Sequence, residues 1–362
     1  MREDEKYILA LHKILGLNLN KYFMKLYQYY ECFEQVWKCK KIASEIGMSI
    51  SHRERFEVCR KTVEPLRIEE DYCRKGIGYI TRLNQSYPKL MLQISNIPCI
   101  LYYCGDVSLI DKQALAIVGS RRATSYGLRQ ARLMAGELSK NGLVIVSGMA
   151  RGIDSAAHQG ALEEDGETIA VLGSGVDIPY PRENRSLYTE ISKRGLVLSE
   201  YPPGTEPLSY NFPIRNRIIS GLSLGVFIVE AQAKSGSLIT CDCALEQGKE
   251  VFALPGPVVS PNSVGPLRLI QQGAKLIIYP QEILEQLGYE YSRCVYDKQK
   301  DKRKEVKESE KQIYNNISWE PVNINELLDK NPDDQGKVIR ILLELEIKGL
   351  IRQLPGKYYV RV

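Results

Sequence analysis

The arginines and hydroxyl residues of the central chain cluster in a few glycine-containing runs. Gly119-Ser120-Arg121-Arg122 ends one, and Arg151 stands in SGMARGIDSAAH (Ser147–His158). Phe212, Arg215, Asn216 and Arg217 stand in FPIRNRIISGLS (Phe212–Ser223), and Lys234 precedes Ser235-Gly236-Ser237 in SGSLIT (Ser235–Thr240). Guanidinium and ammonium groups beside hydroxyls, glycine-turn N–H groups and helix N-termini make a donor set for phosphate oxygens. Phe212 adds a face on which a base stacks. The chemistry these residues predict is the holding of a polyanion by its backbone. Bond-making chemistry has less to draw on. Asp154 and His158 stand i, i+4 on a predicted helix, a spacing that couples a carboxylate to an imidazole or holds a metal. No third ligand or nucleophile recurs nearby, so Asp154 is read as a helix N-cap and His158 as a flank residue. Cys241 and Cys243 are two apart on a predicted helix and read as buried thiols.

Nucleotide cofactor motifs fit poorly. IVGSRRATSYG supplies Gly119 and Gly127 but has Arg121 where the second glycine of a dinucleotide fingerprint belongs, and a side chain there blocks approach to a pyrophosphate. VLGSGVDI has Ile178 in place of the third glycine, and GxxxxGK[ST] does not occur. No cofactor and no metal are expected.

Elements of a particular kind must carry these loops. ALAIVG (Ala114–Gly119) is a continuous apolar run, as expected of a strand covered on both faces. A helix over Gly127–Lys140 follows, then strands at Leu143–Ser147, Thr168–Gly173, Leu196–Glu200, Gly225–Glu230, Glu250–Ala253 and Lys275–Ile278. Helices are placed from Asp154, near Arg182–Arg194 and over Leu238–Gln247. The alternation predicts an α/β fold with a doubly wound parallel sheet, whose ligands bind outside the carboxyl ends of the strands. The predicted division is a helical segment over 1–75, the α/β domain over 76–290, a charged linker over 291–311 and a C-terminal module over 312–362. The run 298–311 carries seven positive and four negative charges and lacks an apolar stripe. The last module shows a helical face (Val338, Ile341, Leu342, Leu345) and a hairpin turning at Pro355-Gly356, the pattern of a winged helix.

Composition sets the outer limits. The 362 residues carry 49 Lys+Arg against 44 Asp+Glu, a formal charge of +5. The 222 residues of 76–297 carry 20 against 21, so a cationic rim there is local. No apolar run approaches the roughly 20 residues of a membrane helix, and the N-terminus lacks a signal-peptide core. Nine scattered cysteines without a CxxC argue against a disulfide framework or a zinc ribbon. A cytoplasmic protein without membrane attachment is expected.

The succession AIVGSR (Ala116–Arg121), SGMARGIDSAAH, VLGSGVDIPYP (Val171–Pro181), SEYPPG (Ser199–Gly204), FPIRNRIISGLS, VEAQAKSGSLIT (Val229–Thr240) and ALEQGKEVFALPG (Ala244–Gly256) closely resembles the DprA/Smf family. The flanks resemble that family's N-terminal sterile-alpha-motif or helix-hairpin-helix-like domain and its C-terminal winged helix. The resemblance implies an extended Rossmann-like domain that binds single-stranded DNA. It also implies a homodimer that protects incoming strands during natural transformation and loads the RecA recombinase onto them, with no catalysis. It places Gly119, Ser120, Arg121, Arg151, Phe212, Arg215, Asn216, Arg217, Lys234, Ser235 and Ser237 at the strand-binding groove, and the residue reading adds Arg122 and Gly236. The chain departs from the family pattern at Asn18, where the N-terminal hairpin has a second glycine, and at Pro266-Leu267, where a small residue and Asn are usual. Asp333–Lys348 carries three positive and four negative charges, without the net charge that dominates DNA affinity, so the C-terminal module is read as a protein-contact or regulatory element. The competing reading from another class is a Rossmann-like enzyme acting on a nucleotide, of the phosphoribohydrolase type. Those relatives use PGGxGTxxE, where this chain reads EAQAKSGSLIT.

Overall fold

The structure, a computed structural model, describes residues 2–289, 308–318, 320–330 and 335–361. They form two units, one ending at Tyr289 and one after it.

The first unit opens with helices α1 (Arg2–Leu15), α2 (Leu19–Tyr30), α3 (Phe33–Lys38), α4 (Ile50–Cys59) and α5 (Pro65–Arg74). Strands β1 (Gly78–Thr81) and β2 (Ile100–Gly105) follow, then β3 (Ala114–Val118), β4 (Val144–Ser147), β5 (Thr168–Leu172), β6 (Leu196–Ser199), β7 (Gly225–Ile228), β8 (Glu250–Ala253) and β9 (Lys275–Leu276). Between and after them run α6 (Ser125–Lys140), α7 (Ile153–Glu163), α8 (Arg185–Arg194), α9 (Asn211–Gly221), α10 (Leu238–Glu246), α11 (Val264–Gln271) and α12 (Pro280–Gln286). The sheet order is β1-β2-β6-β5-β4-β3-β7-β8-β9. Strands β3 to β9 pair in parallel, whereas β1 and β2 extend the β6 edge antiparallel.

The seven parallel strands are those expected from the apolar runs. β1 and β2 are additions, and α9 occupies a segment read above as loop. Side-chain alternation divides the interior into two layers. Tyr102, Ala170, Leu172 and Val197 join Phe23, Phe33 and Phe56 of the N-terminal helices on one face. Leu101, Ile169, Val171, Leu196 and Leu198 face Ile218, Ile219 and Cys241 of α9 and α10 on the other. The helical segment 1–75 thus closes one face of the sheet and shares its core.

From β3 the chain winds outward through β4, β5 and β6, then returns to lay β7, β8 and β9 on the other side. The strand order therefore reverses between β3 and β7, and the crevice outside their carboxyl ends is where a doubly wound sheet offers a ligand site.

The second unit carries α13 (Glu308–Asn316), β10 (Val322–Asn323), α14 (Ile324–Asp329), α15 (Gln335–Ile347), β11 (Ile351–Leu354) and β12 (Tyr358–Arg361), with strand order β10-β12-β11. Ile313, Ile317, Leu327, Val338, Ile341, Leu342 and Leu345 form its core. The expected linker lies outside the described residues up to 307. Its last four residues, 308–311, belong to α13, because Glu310 is buried and pairs with Lys348 at 2.6 Å while Ile313 and Ile317 enter the core. Ile339, Leu343 and Ile347, at i, i+4, i+8, stand exposed along α15. No helix among the described residues is long and apolar enough to cross a membrane.

Candidate nucleic-acid interface

Two loops build the crevice, one following β3 (119–124) and one following β7 (229–237). Gly119 is required by close packing: a Cβ there would lie 2.6 Å from Ile153 Cγ1 and 2.8 Å from the Glu230 carbonyl oxygen. Gly152, at φ +79°, lets the β4–α7 loop press on the Ser120 carbonyl, 2.2 Å from where a Cβ would stand. The Ser120 N–H donates to the Glu230 carbonyl (2.6 Å), and the Ile153 N–H donates to the Ser120 carbonyl (3.2 Å). Three loops are thereby locked together.

The first helix of this crevice does not offer its N-terminus to an anion. Glu230 is buried, and its carboxylate accepts from Thr124 N (2.9 Å) and Thr124 Oγ1 (2.5 Å). The carboxylate lies 2.4 Å from where a Gly127 Cβ would be. An internal acid thus occupies the place at the start of α6 that a pyrophosphate takes in dinucleotide-binding relatives of this topology.

The open cavity lies beside it, with a volume of about 430 Å³. Gly119, Ser120, Arg121, Arg122, Phe212, Arg215, Asn216, Lys234, Ser235, Gly236 and Ser237 line it. The cationic side chains are Arg121, Arg122, Lys234 and Arg215, against the single carboxylate of Asp154. Ser235 and Ser237 share a hydrogen bond of 2.8 Å at the start of α10, whose N-terminus has no side-chain cap. Phe212 is half-buried, with the guanidinium groups of Arg121 and Arg215 at 5.4 and 5.9 Å from its ring centroid and the Tyr180 ring at 5.4 Å. Such cation–π contacts hold Arg121 at the mouth.

Two expected residues stand elsewhere. Arg151 is exposed outside the cavity and pairs with Glu183. Arg217 is buried and donates to Glu200 Oε1 (2.6 Å) and the Asn96 carbonyl (2.8 Å). The reason is that 211–221 is a helix rather than a loop, so Arg215 and Arg217 project in different directions. Arg215 itself is a buried wall residue: burial lowers its pKa to about 10, which leaves it charged. Asn216 is spent internally, donating to the Gly236 carbonyl at 3.1 Å.

Asp154 was read as an N-cap, but Gly152 occupies that position. The carboxylate instead accepts from Gly148 N (3.2 Å) and Ala150 N (3.3 Å) and forms part of the cavity floor. Burial raises its pKa to about 6, against the lowering influence of Arg215. His158 is not coupled to it. The imidazole Nδ1 meets Thr168 Oγ1 at 2.6 Å, and burial holds the ring neutral with a pKa of about 3. Gln232 and Thr240 also line the floor and walls.

A Rossmann-like sheet with a cationic cavity at its switch point, an internal carboxylate on the dinucleotide position and a winged-helix unit defines a class of nucleic-acid-handling proteins. The sequence model of the DNA recombination-mediator protein A family matches residues 78–288, and that of the DprA winged helix domain matches residues 298–357. Protein Smf of Escherichia coli is 41% identical over 331 residues, covering 88% of this chain and 86% of that protein. Protein Smf of Synechocystis is 34% identical across 99% of both. The crystal structure of DNA processing protein A from Streptococcus pneumoniae superposes with a TM-score of 0.69 at 36% identity, covering 79% of this chain and 98% of that one. A Helicobacter pylori structure, described for the single-stranded DNA binding mode of that protein, matches with a TM-score of 0.53 at 36% identity, over 58% of this chain and 95% of that one. The chain belongs to the DNA recombination-mediator protein A family.

Proposed function

We propose that this chain binds single-stranded DNA in the cavity between β3 and β7. It acts there as a homodimer that shields the strand and passes it to the RecA recombinase, with no bond-making step of its own. The observation that carries the reading is the cavity lining: four cationic side chains, the hydroxyls of Ser120, Ser235 and Ser237, and the uncapped start of α10 converge on one crevice. That set binds phosphate oxygens without reading sequence. The Helicobacter pylori relative, whose structure is described for single-strand binding, supports the same assignment. In the winged-helix unit the apolar stripe of Ile339, Leu343 and Ile347 supports a protein-contact role.

Fluorescence anisotropy with single- and double-stranded oligonucleotides across a salt series tests the proposal. Single strands should bind preferentially, with log affinity falling against log salt by about 0.7 per neutralised phosphate. Arg121→Ala, at an exposed position, should weaken binding to every sequence and flatten that slope by about 0.7. Strand-indifferent binding, or an unchanged slope in the variant, overturns the site.

A further inference from the structure

Two polar atoms at the cavity floor have no protein partner among the described residues. Asp154 spends Oδ2 on the N–H groups of Gly148 and Ala150, and Oδ1 accepts nothing. Arg215 donates from Nη1 to the carbonyls of Gly148 and Val171 and from Nε to Asn216, and Nη2 donates to nothing. Both side chains are more than nine-tenths buried, at 6% and 3% exposure, both line the cavity, and neither of these atoms is fully enclosed. The two groups converge on Gly148, where a Cβ would lie 2.7 Å from Arg215 Nη2 and 2.8 Å from Asp154 Oδ2. A guanidinium nitrogen and a carboxylate therefore flank the same backbone position on the cavity floor without pairing with each other.

A carboxylate repels phosphate, so its place on the floor of a cationic cavity calls for a neutral ligand with an N–H group. The pairing edge of a nucleobase is such a ligand. Thymine and guanine carry an imino N–H beside a keto oxygen, and adenine and cytosine carry an amino group beside a ring nitrogen. We infer that Asp154 and Arg215 together receive the pairing edge of one unpaired base, Asp154 Oδ1 accepting its N–H and Arg215 Nη2 donating to the adjacent oxygen or nitrogen. This inference rests on the strand-binding reading and adds to it the means of selection. Every base satisfies the pair, so binding tolerates sequence. A duplex has this edge occupied, so the pair rejects duplex on chemistry that phosphate contacts alone do not supply.

The test uses the full chain and two oligonucleotides of equal length and charge, one of thymidines and one of abasic sites. The wild type should bind the thymidine strand at least about tenfold more tightly, one or two hydrogen bonds that involve charged groups adding to the stack on Phe212. Asp154→Asn keeps an oxygen for Gly148 and Ala150 and turns a donor amide toward the cavity. It should weaken thymidine-strand binding several-fold while changing abasic binding little, the remaining preference for thymidine being the stack on Phe212. Equal binding of the two strands by the wild type, or a proportional change for both in the variant, overturns the pair as a base receptor. Should the variant fail to fold, N3-methylthymidine in place of thymidine removes the imino proton on the ligand side. Wild-type affinity should then fall several-fold toward the abasic value, and unchanged affinity overturns the inference. Binding of neither the thymidine nor the abasic strand would overturn the strand-binding reading itself.

Discussion

At Glu230 a carboxylate performs for α6 the service that a pyrophosphate performs in a dinucleotide-binding fold, saturating Thr124 N and Thr124 Oγ1 from within. The anion-binding capacity of the crevice therefore lies on the Arg121–Lys234 side. Buried titratable residues also leave a signature in stability. His12 and His158 have pKa values held down to about 3 by lost hydration. In the unfolded chain each titrates near 6.5. Their contribution is therefore complete above pH 6.5 and is lost as pH falls toward about 3, because the unfolded state takes up protons that the folded state refuses. Asp154, raised to about 6 by burial, works in the opposite sense. Between pH 6 and about 4 the folded state holds its proton and the unfolded state releases it, which offsets one histidine. His158→Gln retains a partner for Thr168 and removes one of the two titrations. Its stability should fall less steeply on acidification than that of the wild type, by about 1.4 kcal/mol per pH unit in that window. Urea midpoints followed from neutral pH to about pH 4 would show it, and parallel curves would contradict the neutral burial of His158.

Helix α9 joins the site to the rest of the unit. One side presents Phe212 and Arg215 to the cavity, and another is pinned by Arg217 to Glu200, whose Oε1 also accepts from Asn20 Nδ2 at 2.7 Å. Asn20 Oδ1 in turn accepts the Cys99 N–H at 2.8 Å, so the start of α2 is tied through one buried carboxylate to the helix that walls the cavity. Removing one member leaves an uncompensated buried charge. Arg217→Ala should cost about 3–5 kcal/mol of stability, yet leave the salt slope of strand binding unchanged. The double change of Arg217 and Glu200 to Met should cost less than the two single changes summed. Chemical denaturation alongside the salt series separates this structural role from a phosphate contact, which would flatten the slope by about 0.7. The same helix marks where sequence reasoning stops. Strands β3 to β8 were legible because each carries an apolar run closed by a turn signal, and β9 because Ile277 and Ile278 follow it. α9 is enclosed on nearly every side, with Arg215, Asn216, Arg217 and Ser220 all buried, so no 3.6-residue alternation survives to announce it. β1 and β2 stand among prolines and polar turns and outside the strand–helix alternation. Eleven of the thirteen expected groove residues line the cavity, because topology gathers the ends of parallel strands. Arg217 went astray because a loop and a helix send residues two apart in different directions. Asp154 was missed as a floor residue because only the folded loops bring it beside Arg215.

The two units of the molecule have separate cores. The cavity is built entirely from residues 118–240 of the first, on a sheet closed on both faces by helices of the same unit. In the second, α15 turns Ile339, Leu343 and Ile347 to solvent, and the 51 residues 312–362 carry seven positive and seven negative charges. A neutral surface releases few counterions from DNA, so this unit should contribute little to the electrostatic part of binding. A chain ending at Tyr289 should fold with a cooperative transition of its own, because no core residue of its sheet or helices is removed. It should also bind single strands with the same salt slope as the full chain, to within one phosphate contact. A slope shallower by about 0.7 or more for the shortened chain would give phosphate contacts to the removed residues, the cationic run 298–311 or the winged-helix unit. An unchanged slope would leave the exposed stripe of α15 as surface for a protein, and Leu343→Ser should then weaken self-association or recombinase capture while strand affinity stays constant.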